Sequence, residues 1–280
     1  MPPQFYTFHP SPPLAAYVDH FFLLEDHPAG QIEKLLPDGG LELILNLGEP
    51  QFLHELQDSS RYRTFRESWI SGLRSQAILI GSPPRSNLIG VRFKMFGAYP
   101  FLHVPLHEIA DRVVDADGIC GPEIHRLRDR ISLAPGPARK FALFESFLLG
   151  RLRKPDRHER LLTRAVETLS TAGGEDRMEQ LGQRSGVSAK HLRRLFHSMV
   201  GLSPKALHRV CRLQKVVQRI EQLESPNWSR VAQECGFFDQ AHFIKEFKSF
   251  TNLTPTEYMA QRGPYLNYLY MGDSFAQDAA

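Results

Sequence analysis

The strongest constraint on this chain is that part of it is written twice. Residues 178–196 and 228–247 follow one plan: a short amphipathic stretch, a glycine, a polar capping residue, and a second amphipathic stretch ending in phenylalanine. Gly186 aligns with Gly236, Leu192 with Phe243, and Phe196 with Phe247, the second copy being one residue longer in its turn. Each copy then runs into a hydroxyl-proline step, Ser203-Pro204 and Thr254-Pro255. A recurrence of this kind is two copies of one supersecondary unit. Two helices joined by a tight glycine turn make a helix-turn-helix.

The turn chemistry fits that unit. A glycine at the end of a helix takes the left-handed conformation that reverses the chain. Ser188 and Asp239 are then placed to cap the second helix of each pair. In the first copy Leu192, Leu195 and Phe196 form one apolar stripe, which leaves Ala189, Lys190, Arg193, Arg194 and His197 for the other faces. Small or basic side chains with no acid among them suit a helix that enters the major groove of DNA. In the second copy Phe243 and Phe247 face inward, Gln240, His242 and Lys245 outward, and the acidic Glu246 is expected to turn away. Residues 203–224 between the copies, with Pro204 at the first turn and apolar residues at helical spacing, predict a helix of about five turns. Such a rod would hold both units on one face, about one DNA turn or roughly 34 Å apart. Arg209, Arg212, Lys215 and Arg219 along it are either phosphate contacts or a solvated face.

The second copy also resembles a known family. Val231-Ala232, Cys235, Gly236, Phe237, Asp239-Gln240, His242-Phe243, Phe247-Lys248 and Leu253 to Tyr258 are similar to the AraC-type DNA-binding domain of bacterial transcription regulators. The resemblance covers roughly residues 157–262. It departs at Asn252, where glycine is common, at Met259, where arginine is common, and at Ile244, usually small or polar. It implies a module of two helix-turn-helix units fused to a sensing or dimerising domain. It also implies DNA contacts at the positions of Lys190, Arg193 and Arg194, and of Gln240, His242 and Lys245. Ser188, His197 and Lys248 complete the expected contact set. The expected partners are double-stranded DNA, RNA polymerase, a small-molecule effector and a second copy of the chain. No membrane and no cofactor is expected.

Ahead of the repeat the pattern changes. Short apolar runs, among them Phe21 to Leu24, Leu41 to Leu45, Trp69-Ile70, Ile78 to Ile80 and Leu88 to Val91, are separated by Pro/Gly/Asp turns such as Pro37-Asp38-Gly39-Gly40. That spacing predicts strands over 5–93 in a sandwich or small barrel. Helical spacing follows over 97–152, chiefly at 122–133 and 137–152. The whole is therefore expected to be α+β. A strand-rich, barrel-like N-terminal domain with helices, residues 1–152, precedes an all-α tandem helix-turn-helix domain, 156–262, and a tail, 263–280. The stretches around Asp38 and Gly90 resemble an uncharacterised sensor-like domain found on some AraC-type proteins. Glu42, Asn46, Trp69 and Arg92 lie in predicted strands, and they either line an effector pocket or face solvent or satisfy one another.

Charge agrees with this division. Residues 156–262 carry 17 Lys+Arg against 12 Asp+Glu, a balance of +5, within a chain of net charge +3. The basic part points to an anionic partner, nucleic acid before membrane. No apolar run approaches the ~18–20 residues of a membrane span. The three cysteines, Cys120, Cys211 and Cys235, are mutually isolated, which suits a reducing cytoplasm. His103 and His107 stand four apart, but Pro105 between them opposes a regular helix, so no metal site is expected. No nucleophile elbow, phosphate loop or dinucleotide fingerprint is present, so no catalytic residue is assigned. AraC-type modules fused to repair methyltransferases need a Pro-Cys-His nucleophile, whereas Cys120 precedes Gly121-Pro122. The remaining alternative is a regulator controlled by a protein contact in place of a small ligand.

Overall fold

The computed structural model describes residues 4–28, 30–154, 158–169, 180, 182–184, 186–262 and 266–273. Among the described residues the N-terminal half contains ten strands: β1 (Gln4–Phe8), β2 (Val18–Pro28), β3 (Gln31–Leu35), β4 (Leu41–Asn46), β5 (Gln51–His54), β6 (Tyr62–Phe65), β7 (Ser68–Ser71), β8 (Ile78–Gly81), β9 (Arg85–Phe93) and β10 (Val113–Asp115). With them run four helices, α1 (Tyr99–Leu102), α2 (Asp117–Cys120), α3 (Glu123–Ser132) and α4 (Gly136–Arg151). A 3-10 turn at Leu106–Glu108 links α1 to β10.

The strands form two antiparallel sheets. One has the order β1-β2-β9-β4-β7-β10. Alternation explains its two faces, because successive side chains of a strand point to opposite sides. Leu41, Leu43 and Leu45 of β4, with Ile89, Val91 and Phe93 of β9, pack against α3 and α4 through Ile124, Leu127, Phe141 and Phe144. The intervening Ile44, with Trp69 of β7, faces the second sheet and meets Phe65 of β6. Gly90 lies on that same face, where an added Cβ would stand 2.3 Å from the Phe22 ring. The barrel-like expectation thus takes the form of two facing sheets with helices on the outer side of one.

The second sheet is ordered β11-β3-β8-β5-β6, and its first strand comes from the far end of the chain. Strand β11 (Tyr268–Asp273) pairs antiparallel with β3, Tyr268 opposite Leu35. The segment expected as a tail therefore supplies an edge strand, because its alternating Tyr268-Leu269-Tyr270 places Leu269 in the core at 1% exposure. Residues 263–265 and 274–280 of that segment lie outside the described residues.

The C-terminal half is helical: α5 (Glu159–Leu169), α6 (Ala189–Met199), α7 (Pro204–Glu221), α8 (Trp228–Glu234), α9 (Gln240–Thr251) and α10 (Pro255–Gln261). The proposed boundary near 156 falls outside the described residues, as does half of the stretch 178–185, where the first helix of the repeat is expected. Of that helix, Gln180 and 182–184 are described, and they are helical.

Two mixed cores join the halves. Leu73 packs with Leu162, Leu192, Phe196 and Leu207, flanked by Met95 and Tyr99. Leu36 and Ala77 pack with Val210, Phe243, Phe250 and Leu269. Polar groups pin the same junction. Gln214 of α7 donates to the Pro37 carbonyl at 2.8 Å and exchanges amide hydrogen bonds with Asn267. Lys34, 6% exposed, donates to the Thr251 carbonyl at 3.1 Å, and burial lowers its pKa. Tyr17 donates to Glu159 at 2.9 Å; burial, then that carboxylate, pushes the phenol up to about 12. No helix among the described residues is long and apolar enough to cross a membrane.

Candidate nucleic-acid interface

The two turns are built alike, bond for bond. In the first, the Gly186 N–H donates to Gln183 O at 3.2 Å and the Val187 N–H to Gly182 O at 2.9 Å. In the second, the Gly236 N–H donates to Gln233 O at 3.1 Å and the Phe237 N–H to Ala232 O at 2.9 Å. This is the Schellman closure of a helix C-terminus, and it needs a positive φ at its pivot. Gly186 and Gly236 supply it at 65° and 81°. Ser188 then accepts from the His191 N–H and Asp239 from the His242 N–H, capping α6 and α9. The exits match as well: Ser203 caps α7, and Thr254 caps α10 in a capping box with Glu257.

On α6 the stripe Leu192, Leu195, Phe196 and Met199 is buried, while Lys190, Arg193, Arg194 and His197 are exposed. The structure brings these four basic side chains onto the free side of one helix. Arg194 donates to His191 Nδ1 at 2.8 Å. His197 sits at the C-terminal end and stacks on His107 of the N-terminal half, ring centroids 3.9 Å apart. Gly201, just beyond α6, packs against Leu106. His197 is thus exposed yet held by the 3-10 turn, a contact across the halves that sequence spacing does not reveal. His103, the other histidine of that pair, bonds to the backbone carbonyls of Pro100 and Arg151.

On α9, Phe243 and Phe247 are buried, and Gln240, His242, Lys245 and Lys248 are exposed. Two of these are engaged within the domain. Gln240 Oε1 accepts from Ser229 at 2.6 Å, tying the start of α9 to the start of α8. His242 lies 3.3 Å from Glu246 and edge-on to Phe237. Glu246 is drawn the other way, onto both Nη2 hydrogen bonds of Arg212 at 2.6 Å. Three of the arginines along α7 and its end are similarly committed, Arg209 to Ser249, Arg212 to Glu246 and Arg219 to Glu234. Those two arginine-carboxylate pairings favour internal bracing over phosphate contact for Arg212 and Arg219. Two hydrogen bonds, from Arg219 first and then Arg230, hold the Glu234 carboxyl below its usual range. Phe238, which the sequence reading passed over, occupies the added turn position at 93% exposure.

The four residues offered as an effector pocket divide. Glu42 and Arg92 stand opposite one another across β4 and β9 and pair at 2.8 Å, with Asp38 also 2.8 Å from Arg92. Burial works against the Arg92 charge, but the two carboxylates outweigh it and raise its pKa. Trp69 shares their face and packs with Ile44 and Phe65. Asn46 does something else. Fully buried, it donates to the Glu49 and Arg66 carbonyls and accepts from the Gly48 N–H, so it holds a turn at the end of β4. Burial pushes the Cys120 thiol up to about 11, and Cys120, Cys211 and Cys235 are all buried and unbridged.

The arrangement defines a pair of helix-turn-helix units on a common rod, joined to a two-sheet domain. Comparison with known proteins agrees. Residues 181–261 match the family model described as a helix-turn-helix domain, and residues 6–115 match a domain of unknown function, DUF6597. An uncharacterized HTH-type transcriptional regulator of Haemophilus influenzae is 29% identical over 100 residues, 36% of this chain. The match spans 33% of that protein's length. Solved structures of ToxT from Vibrio cholerae resemble the chain loosely. One has 12% identity and a TM-score of 0.42 over 92% of this chain and 98% of that one. Another, with an unsaturated fatty acid bound, has 12% identity and a TM-score of 0.42 over 85% and 94%. So loose a likeness carries nothing further to this chain. The C-terminal helical part, residues 181–261, is the part that matches a helix-turn-helix domain.

Proposed function

We propose that the chain is a transcription regulator, not an enzyme, that reads double-stranded DNA in the cytoplasm with α6 and α9. The observation that carries this is the exposed basic row Lys190, Arg193, Arg194 and His197 on a helix whose opposite stripe is fully packed. Lysines and arginines displace counterions from phosphates and give sequence-independent affinity, while side chains at base edges give preference. Ser188 and Asp239 place the amino ends of their helices, whose partial positive charge favours phosphate. Lys245 and Lys248 extend the basic surface along the second unit, with Gln240 and His242 held in place at its start.

The N-terminal domain is the regulating part of this reading, through a small effector or a protein contact, with RNA polymerase and a second copy as further partners. Its paired Asp38, Glu42 and Arg92, beside Trp69 between the sheets, are the place we assign to an effector. Support comes from their burial close to the junction with the DNA-binding half: Tyr268 of β11 has its pKa raised by burial and then by Glu42 and Asp38. Isolation of DNA fragments bound by the full chain from a random pool tests the DNA reading. Enrichment of a shared sequence supports it; recovery of unrelated fragments, or of none at low salt, contradicts it.

A further inference from the structure

Among the described residues the two turns differ in length at one point, and that point is at the tip of the second helix of its unit. The Schellman bonds and the N-caps of both turns coincide, so the extra residue of the second turn is identified: it is Phe238, between Phe237, which matches Val187, and the cap Asp239. Phe237 packs on Phe243, ring centroids 5.3 Å apart, filling the apolar position before the helix. Phe238 is left over. At 93% exposure it is the most exposed large hydrophobic side chain among the described residues. The polar side chains beside it are occupied, Gln240 with Ser229 and His242 with Glu246. What the leading end of α9 presents is an apolar pair, Phe238 and exposed Ala241. Residues at the start of a recognition helix are those that meet base edges in the major groove. Among base-edge features there, the thymine C5-methyl is the apolar one, and alanine and phenylalanine are side chains that contact it.

We propose that Phe238, with Ala241, is a specificity-determining contact to thymine methyl groups in the half-site read by the second unit. This rests on the DNA reading above. The first unit then supplies charge and hydrogen bonds to its half-site, and the second supplies apolar recognition, so the two halves of the site differ in kind.

The experiment uses the full chain and a DNA fragment it selects from a random pool. Each thymine of the fragment is replaced singly by deoxyuridine, which removes only the 5-methyl group. At one or two thymines in one half-site the wild-type protein is expected to lose about fourfold in affinity, the size of one buried methyl. Phe238→Ala, on an exposed side chain, is expected to melt as wild type, to bind the unaltered fragment about tenfold more weakly, and to be insensitive to deoxyuridine at those thymines. Arg193→Ala is expected to lose affinity while keeping that sensitivity. Undiminished binding by Phe238→Ala, or an equal deoxyuridine effect in that variant, overturns the proposal while the DNA reading stands. Failure of the wild-type chain to select any fragment overturns both.

Discussion

At the scale of single residues, the packing partners decide which polar groups remain available. Arg193 is exposed on α6 and enters no ion pair among the described residues. Arg193→Ala is expected to weaken specific binding by ~1–3 kcal/mol and to relax preference at one base pair. Titration against selected and random DNA checks this, and an equal loss on both would make Arg193 a phosphate contact. Asn46 belongs to the opposite kind. Its amide satisfies three backbone groups at 0% exposure. Asn46→Leu should destabilise the N-terminal domain by about 2 kcal/mol or more, because buried carbonyls are left unpaired. Chemical denaturation would show it, and an unchanged midpoint would count against the role. The sequence revealed the outward row of α6 because an apolar stripe at helical spacing leaves only one face for the rest. It left Asn46 open, since an asparagine ending a strand is equally suited to a pocket or to internal hydrogen bonds until its neighbours are known. Glu246 pairs with Arg212, which comes from a different helix and so leaves no mark in the local sequence.

At the scale of elements, the repeated turn is what the two copies share, bond for bond. Gly236→Ala places a Cβ at φ 81°, where the surroundings are open, so the cost is conformational, about 1 kcal/mol. Thermal melting should fall accordingly, and DNA affinity with it. Thr254→Ala removes the cap of α10, again about 1 kcal/mol. Hydrogen bonds from the Thr254 backbone, then its side chain, hold the Glu257 carboxyl below the usual range. That contribution is therefore complete above the ordinary carboxylate pKa and is lost as the pH falls through the lowered one. A pH series of melting curves for wild type and Glu257→Gln should converge at acid pH, where the wild-type carboxyl is also neutral; parallel curves throughout would refute the coupling. Helices α3, α4, α6, α7 and α9 were readable, because apolar periodicity and proline starts mark them. Strands β5, β6 and β10 were not: Tyr62-Arg63-Thr64-Phe65 is half exposed, and four residues give no periodicity to detect. Strand β11 escaped because its partner β3 lies far away in the chain and pairing leaves no local mark.

At the scale of the whole molecule, the helical C-terminal half is clamped to the strand-rich N-terminal half by two apolar junctions, the Gln214–Asn267 amide pair, Lys34 and β11. The division into a strand-rich part and a helical part follows from composition and periodicity. Their docking does not, because Leu36, Leu73 and Ala77 look like ordinary core residues until the structure shows which core they enter. The clamp gives the N-terminal domain a physical route to α6 and α9, since any change at β3 or the 3-10 turn bears on helices they touch. The arrangement of the two units on α7 sets what the DNA must look like. The most direct measurement is selection of DNA by the full chain, followed by footprinting of the enriched sequence. The account predicts two short protected major-groove segments on one side of the duplex, centred about one turn or roughly 10 base pairs apart, with Arg193→Ala affecting one and Phe238→Ala the other. Protection of a single segment, or the same loss in both from either substitution, would contradict it.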